Sequence, residues 1–211
     1  KYNISREAQD RYALSSYQRA LDAIAASRFK QEILPVSIPQ RKGDPKIFDT
    51  DECPRATSLE ALAKMSGAFK KGGVTTAGNA SVISDGAAAV VVMSRQAAQE
   101  LGCEILATIG AQASFGIDMK YVLVAPIWAV PKVLAKEGIG IDRVDLFEIN
   151  EAFAGSTCAV MQELKLDPAK TNVNGGSVAL GHPIGASGCR VLVTLIHEMI
   201  RSDKKTGVAS L

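Results

Sequence analysis

The chain predicts an α/β fold with helices layered over sheet, and three observations carry that expectation. Apolar strand-like runs alternate with amphipathic helical stretches, the order from which helix-on-sheet layers are built. Residues 144–149 read as a strand that passes straight into Asn150-Glu151-Ala152-Phe153 and a further helix, a strand–helix junction. Hydrophobic residues make up 47% of the 211, enough to bury a real core in one large domain or two small ones.

Taken in order, Ser5 is placed to cap a first helix, and Leu14, Tyr17, Leu21 and Ile24 recur at helical spacing as far as Ala26. Residues 32–39 alternate weakly and predict a short edge strand, since Pro35 and Pro39 cannot donate to a ladder. Residues 41–54 are polar and turn-rich and read as a surface excursion. Thr57-Ser58-Leu59-Glu60 is a capping box, opening a helix with Leu59, Leu62 and Met65 on one face that closes at residues 69–73.

The loop Thr75-Thr76-Ala77-Gly78-Asn79-Ala80-Ser81 and the run Asp85-Gly86-Ala87-Ala88-Ala89 carry only small side chains, which suits close approach of a helix or of a ligand equally well. A buried strand is predicted at 90–93, a short helix at 96–101 and a long strand at 105–113. Residues 126–137 form a helix with Trp128 and Val133 or Leu134 inward, ended by Gly138. Then come the strand 144–149, a helix to Leu164, a helix over 191–200 and a strand at 207–211, without internal repeat.

Composition removes several functional classes. The formal charge of +2 is near neutral with both signs interspersed, so no nucleic-acid or membrane surface is expected. No apolar run reaches the roughly 20 residues of a membrane span, and no signal-peptide pattern is present. Cys53, Cys103, Cys158 and Cys189 lack C-x-x-C spacing, which points to free thiols in a reducing, cytoplasmic setting. His197-Glu198-Met199-Ile200-Arg201 lacks the second histidine of a zinc helix, so no metal is expected. The chain opens without Met and stops on an apolar run, which reads as a piece of a longer protein.

The chemistry concentrates at 172–190, where five glycines between Gly175 and Gly188 flank one histidine, His182. Such a loop feeding a helix can present free N–H groups to negative charge, or be a tight turn around a structural histidine. The segment 185–189 is not G-x-S-x-G, because Cys189 takes the fifth place, and no Walker A or G-x-G-x-x-G phosphate loop is present. His182 is the acid–base candidate, whereas His197 falls mid-helix and reads as a packing or surface residue. Asn150, at the junction, can donate to a developing oxyanion or serve as an N-cap. Glu151 reads as a first-turn carboxylate complementing the helix dipole, and Cys158 and Cys189 as packing residues.

Asn150-Glu151-Ala152-Phe153, Asn172-Val173-Asn174-Gly175-Gly176 and Gly181-His182-Pro183-Ile184-Gly185-Ala186-Ser187-Gly188 together resemble the thiolases of the acetyl-CoA acetyltransferase type. Thr76-Ala77-Gly78-Asn79-Ala80-Ser81 and Asp85-Gly86-Ala87-Ala88 match the same family in the same order. The resemblance implies the second half of a layered αβαβα fold: most of a coenzyme A clamp (loop) domain at 1–83, the end of the N-terminal half at 84–103, and most of the C-terminal half at 104–211. It implies Claisen condensation of two acetyl-CoA to acetoacetyl-CoA, or the reverse thiolysis, through an acyl-cysteine. Degradative 3-ketoacyl-CoA cleavage is the alternative, and a non-catalytic piece with residual coenzyme A contacts is another.

By the same resemblance His182 activates the nucleophilic cysteine and binds the thioester oxygen, and Asn150 holds a water in the same oxyanion hole. Ser81, Ala77 and Phe69 line the coenzyme A tail, and Phe153 borders the pantetheine channel. Substrates are acyl-CoA thioesters, with no cofactor, and the protein is a homo-oligomer, dimer or tetramer. Mitochondrial or peroxisomal placement stays open beside the cytoplasm. Two departures stand out. Neither catalytic cysteine of the family falls within the 211 residues, one belonging before Lys1 and one after Leu211, so the chain alone is expected to be inactive. Val122-Leu123-Val124-Ala125-Pro126 replaces an M-G-x-G-P run at the acyl pocket.

Overall fold

The computed structural model describes residues 1–211. Its centre is a pair of parallel strands, β3 (Leu146–Ile149) and β4 (Gly207–Ser210), in register Leu146 to Gly207 and Ile149 to Ser210. Parallel strands need a long crossover. Here it contains helices α5 (Ala154–Leu164), α6 (Ser177–Leu180) and α7 (Ile184–Arg201). All four residues of β3 are buried, as befits a strand covered on both faces. On its other edge β3 meets Thr171 and Asn172: the Asn172 N–H donates to the Phe147 carbonyl at 2.9 Å, and its side chain brackets both backbone groups of Ile149 at 2.8 Å.

Two apolar clusters flank this strand pair. One gathers Val130 and Leu134 of α4 (Pro126–Glu137), Phe147 and Ile149, Val160 of α5, and Val208. The other seats α1 (Arg6–Ala25) through Ala13, Tyr17 and Ala20 against Leu62, Ala154 and Val178. The alanines bring α1 close to its neighbours, while Tyr17, 1% exposed, supplies the bulk. Burial of a side chain of that size contributes about 2 kcal/mol.

The ends of several helices follow their caps. Ser5 accepts the Ala8 N–H at 3.0 Å to start α1, and Ser58 accepts the Ala61 N–H at 3.2 Å to start α2 (Leu59–Ala63). Gly138, with φ of 68°, closes α4 as predicted. Leu134 rather than Val133 is the buried member of that pair, and Trp128 is half-buried.

Other expectations need correction. The edge strand shrinks to β1 (Val36–Ile38), and the supposed excursion supplies its antiparallel partner, β2 (Lys46–Phe48). The second helix stops at Ala63 rather than continuing towards 69–73. Residues 90–93 and 105–113 form no strand, and α3 (Arg95–Glu100) lies between them. A strand requires a neighbour to satisfy its backbone groups, and nothing in this chain pairs with either run. Val91 is accordingly 85% exposed and Ile109 50%. The last long helix starts at Ile184, seven residues earlier than the apolar pattern suggests, because Gly185, Ala186 and Gly188 belong to its first turns.

Candidate active site

Three segments converge beyond the carboxyl end of β3, where functional groups collect in α/β sheets. The strand exit, residues 150–153, is the hub. Its Ala152 carbonyl receives both the backbone N–H and the hydroxyl of Ser81, at 3.2 and 2.8 Å. The Asn79 carbonyl receives the Ala154 N–H at 2.9 Å, which docks the small-residue loop onto the start of α5. The third segment is tied in by the His182 N–H, which donates to the Val82 carbonyl at 2.8 Å. Asn79, fully buried, stabilises that loop by accepting the Thr76 N–H and donating to Asp10, both at 2.8 Å.

Asn150 does not cap a helix. Helix α5 begins four residues later, with Phe153 at its N-cap and no side-chain cap bond. Asn150 instead continues the β3 ladder, its N–H donating to Ser210 at 2.9 Å, and its side chain turns to His182. Asn150 Nδ2 lies 3.4 Å from His182 Nε2. On the opposite side of the ring, His182 Nδ1 lies 2.6 Å from Ser187 Oγ, which donates its one proton to the Pro183 carbonyl at 3.1 Å. The hydroxyl must therefore accept from Nδ1–H, and the ring is the Nδ1–H tautomer with a bare Nε2. Burial, and then the positive charge of Arg190, hold the imidazole below its ordinary value. At neutral pH it is uncharged and able to take a proton at Nε2.

Glu151 departs most from expectation. It is not in a helical first turn but 1% exposed, wedged between α1 and the glycine loop. Its Oε1 accepts from Tyr12 Oη at 2.6 Å and Asn172 Nδ2 at 3.0 Å. Its Oε2 accepts from Ser16 Oγ at 2.7 Å and the Val178 N–H at 3.1 Å. A carboxylate so fully engaged fixes the backbone beside Asn150. The glycines serve this packing: a Cβ on Gly176 would fall 2.3 Å from the Glu151 carboxyl carbon, and Gly175 takes φ of 79° against α1.

Phe69 and Phe153 meet edge to face, with centroids 6.0 Å apart. Together with Thr75, Leu123 and Ser156 they border an open cleft of about 520 Å³. Ala77 is exposed on the turn that precedes Asn79. A second cleft, about 460 Å³, lies where Asp85, Gly86 and Ala87 face Pro183, Ile184 and Cys189. No group of side chains is arranged to hold a metal ion, and no helix is long and apolar enough to cross a membrane.

No cysteine hydrogen-bonds His182. Cys53 approaches the loop from outside it, its sulfur 3.4 Å from the place a Gly181 Cβ would take, but burial and then Asp51 raise its thiol above the ordinary range. Cys158, beside Glu151 and half-buried, is pushed up to about 11, chiefly by burial. Both stay protonated near neutrality. Sequence reasoning missed Ser177, Ser187 and Arg190; the one available signal was a single charged residue, Arg190, among the small and apolar residues 184–196.

The family model for the thiolase N-terminal domain matches residues 1–96, and that for the thiolase C-terminal domain matches 103–211. An acetyl-CoA acetyltransferase of Pseudomonas aeruginosa is 55% identical over all of this chain and 54% of its own length, and one of Chromobacterium violaceum is 52% identical over the same shares. The crystal structure of the Bacillus anthracis acetyl-CoA acetyltransferase superposes with a TM-score of 0.95 at 45% identity, over 99% of this chain and 53% of that one. Human mitochondrial 3-ketoacyl-CoA thiolase does so with 0.93 at 38%, over 100% and 53%. The chain spans about half the length of the curated relatives it matches.

Proposed function

The chain belongs to the thiolase family and has its fold, and from that premise we propose that it carries the histidine–asparagine part of an acetyl-CoA acetyltransferase active site. The observation that supports this reading is the meeting of His182 Nε2 and Asn150 Nδ2 at 3.4 Å, with the ring held neutral. The reaction is thiolysis of acetoacetyl-CoA, or condensation of two acetyl-CoA in reverse. The nucleophile is a cysteine outside residues 1–211. Its proton passes to the bare Nε2, and the thiolate attacks the carbonyl carbon while the C=O pair moves onto oxygen. Protonated His182 then donates Nε2–H to that oxygen, and Asn150 Nδ2 orients a water towards the same point.

Residues 1–83 act in this proposal as the coenzyme A clamp, 84–103 as the end of the N-terminal half and 104–211 as most of the C-terminal half. Phe69, Phe153, Ser81 and Ala77 lie along the coenzyme A tail; the first two already border the 520 Å³ cleft. No cofactor beyond the thioester substrates is needed, and the protein works as a cytoplasmic homo-oligomer. The test is His182→Ala in the full-length protein that contains this chain, assayed by acetoacetyl-CoA cleavage. Turnover is expected to fall on the order of a thousandfold with folding retained. A rate within threefold or so of wild type would make the histidine a structural residue.

A further inference from the structure

We infer that Ser177 and Arg190 are positioning residues for this site: they hold the Asn150 amide so that its NH2 end, and not its oxygen, faces His182. The inference rests on the functional reading above. The two ends of an amide are nearly the same shape, so its neighbours decide which way it points. Ser177 Oγ lies 2.6 Å from Asn150 Oδ1, and Arg190 Nη2 lies 3.2 Å from Ser177 Oγ. Arginine can only donate, so the hydroxyl accepts from Arg190 and gives its single proton to the amide oxygen. The donors then run in one direction: guanidinium to hydroxyl, hydroxyl to amide oxygen, amide NH2 towards Nε2. Bonds aligned this way polarise one another.

The Arg190 charge also acts on the carboxyls of Glu148, Glu32 and Asp51, but hydrogen-bonds none of them. The bond to Ser177 is its only hydrogen bond, and its Nε and Nη1 are buried without partners. Its one directed side-chain contact is therefore the bond to Ser177, which sets where the hydroxyl proton points. Arg190, from α7, is the charge acting on His182. Glu151, behind Asn150, directs its carboxylate to α1, and Cys53, beside Gly181, stays protonated. Asparagine in that orientation offers a donor to the oxyanion; flipped, it would offer an oxygen and repel it.

The chain has two histidines, so ¹⁵N-histidine labelling with long-range ¹H–¹⁵N correlation reads His182 against His197 as an internal control. The wild-type ring is expected as the neutral Nδ1–H tautomer. Ser177→Ala is expected to shift the Nε2 resonance, Ser177→Thr to restore it, and Arg190→Met to move the titration midpoint to higher pH, with His197 unchanged throughout. An Nε2 resonance unmoved in Ser177→Ala, with circular dichroism retained, would overturn the inference, and that variant decides alone should Arg190→Met fail to fold. In the full-length protein Ser177→Ala is expected to lower kcat about tenfold, the worth of one well-placed hydrogen bond, with KM little changed. Should the full-length wild type fail to cleave acetoacetyl-CoA, the functional reading falls, while the histidine spectra still judge the positioning.

Discussion

Glu151→Ala should nearly unfold this chain, although the carboxylate touches no reacting atom. Removing it strands three donors at once, Tyr12 Oη, Ser16 Oγ and the Val178 N–H, while Asn172 Nδ2 keeps its bonds to the Ile149 carbonyl and Tyr12 Oη. A buried donor left without a partner costs about 1–3 kcal/mol, so three at the low to middle of that range give about 3–5 kcal/mol. Some of these groups can turn to one another or admit water, which keeps the expected loss from rising above that figure. That is a large share of the roughly 5–15 kcal/mol that keeps a domain folded. Glu151→Gln separates charge from shape. Its oxygen can still serve Tyr12 and Asn172, but its NH2 then faces the Val178 N–H, two donors in conflict, for a cost of about 2 kcal/mol. Urea unfolding followed by the fluorescence of Trp128, the only tryptophan, measures both. A loss under about 1 kcal/mol for the alanine variant, or a glutamine variant less stable than the alanine one, would refute the reasoning.

Two further effects follow from the same buried layer. Glu148, 3% exposed in β3, is raised to about 8 by burial against the opposing pull of Arg190, and Glu32 to about 7, again chiefly by burial. Both bind a proton more tightly folded than unfolded, so stability is greatest at or below the ordinary carboxylate value of 4.5 and declines as pH rises towards about 8. Urea midpoints taken across that window should fall, and Glu148→Gln should flatten the decline; a midpoint that rises with pH would contradict the assignment. Gly176→Ala places a methyl 2.3 Å from the Glu151 carboxyl carbon, and a thermal melt should show a loss of about 2 kcal/mol or more. An unchanged melting temperature would mean that the loop and α1 separate freely.

Much of this molecule was legible in the order of its residues where the cause is local. Ser5 and Ser58 cap the helices they precede, because an N-cap bond spans only three residues. Gly138 ends α4 through its positive φ. Runs 90–93 and 105–113 looked like strands for an equally local reason, their apolar side chains, yet a strand exists only where another chain segment satisfies its hydrogen bonds. Glu151 was misjudged for the same kind of reason: its place after a strand suggested a helix dipole, while its partners lie 135 and 139 residues away in α1.

The sequence alone determined the family, through spaced motifs around Asn150, Gly176 and His182, and with it the half of the site these residues can form. Tertiary structure decided what that half can do. It set the Nδ1–H tautomer through Ser187, the facing of the Asn150 amide through Ser177 and Arg190, and the rigidity of the glycine loop through Glu151. Those choices depend on which donor meets which acceptor, over only five residues for His182 and Ser187 but over 27 for Ser177 and Asn150. Only packing of α1 and α7 around the end of β3 brings such groups within hydrogen-bond reach.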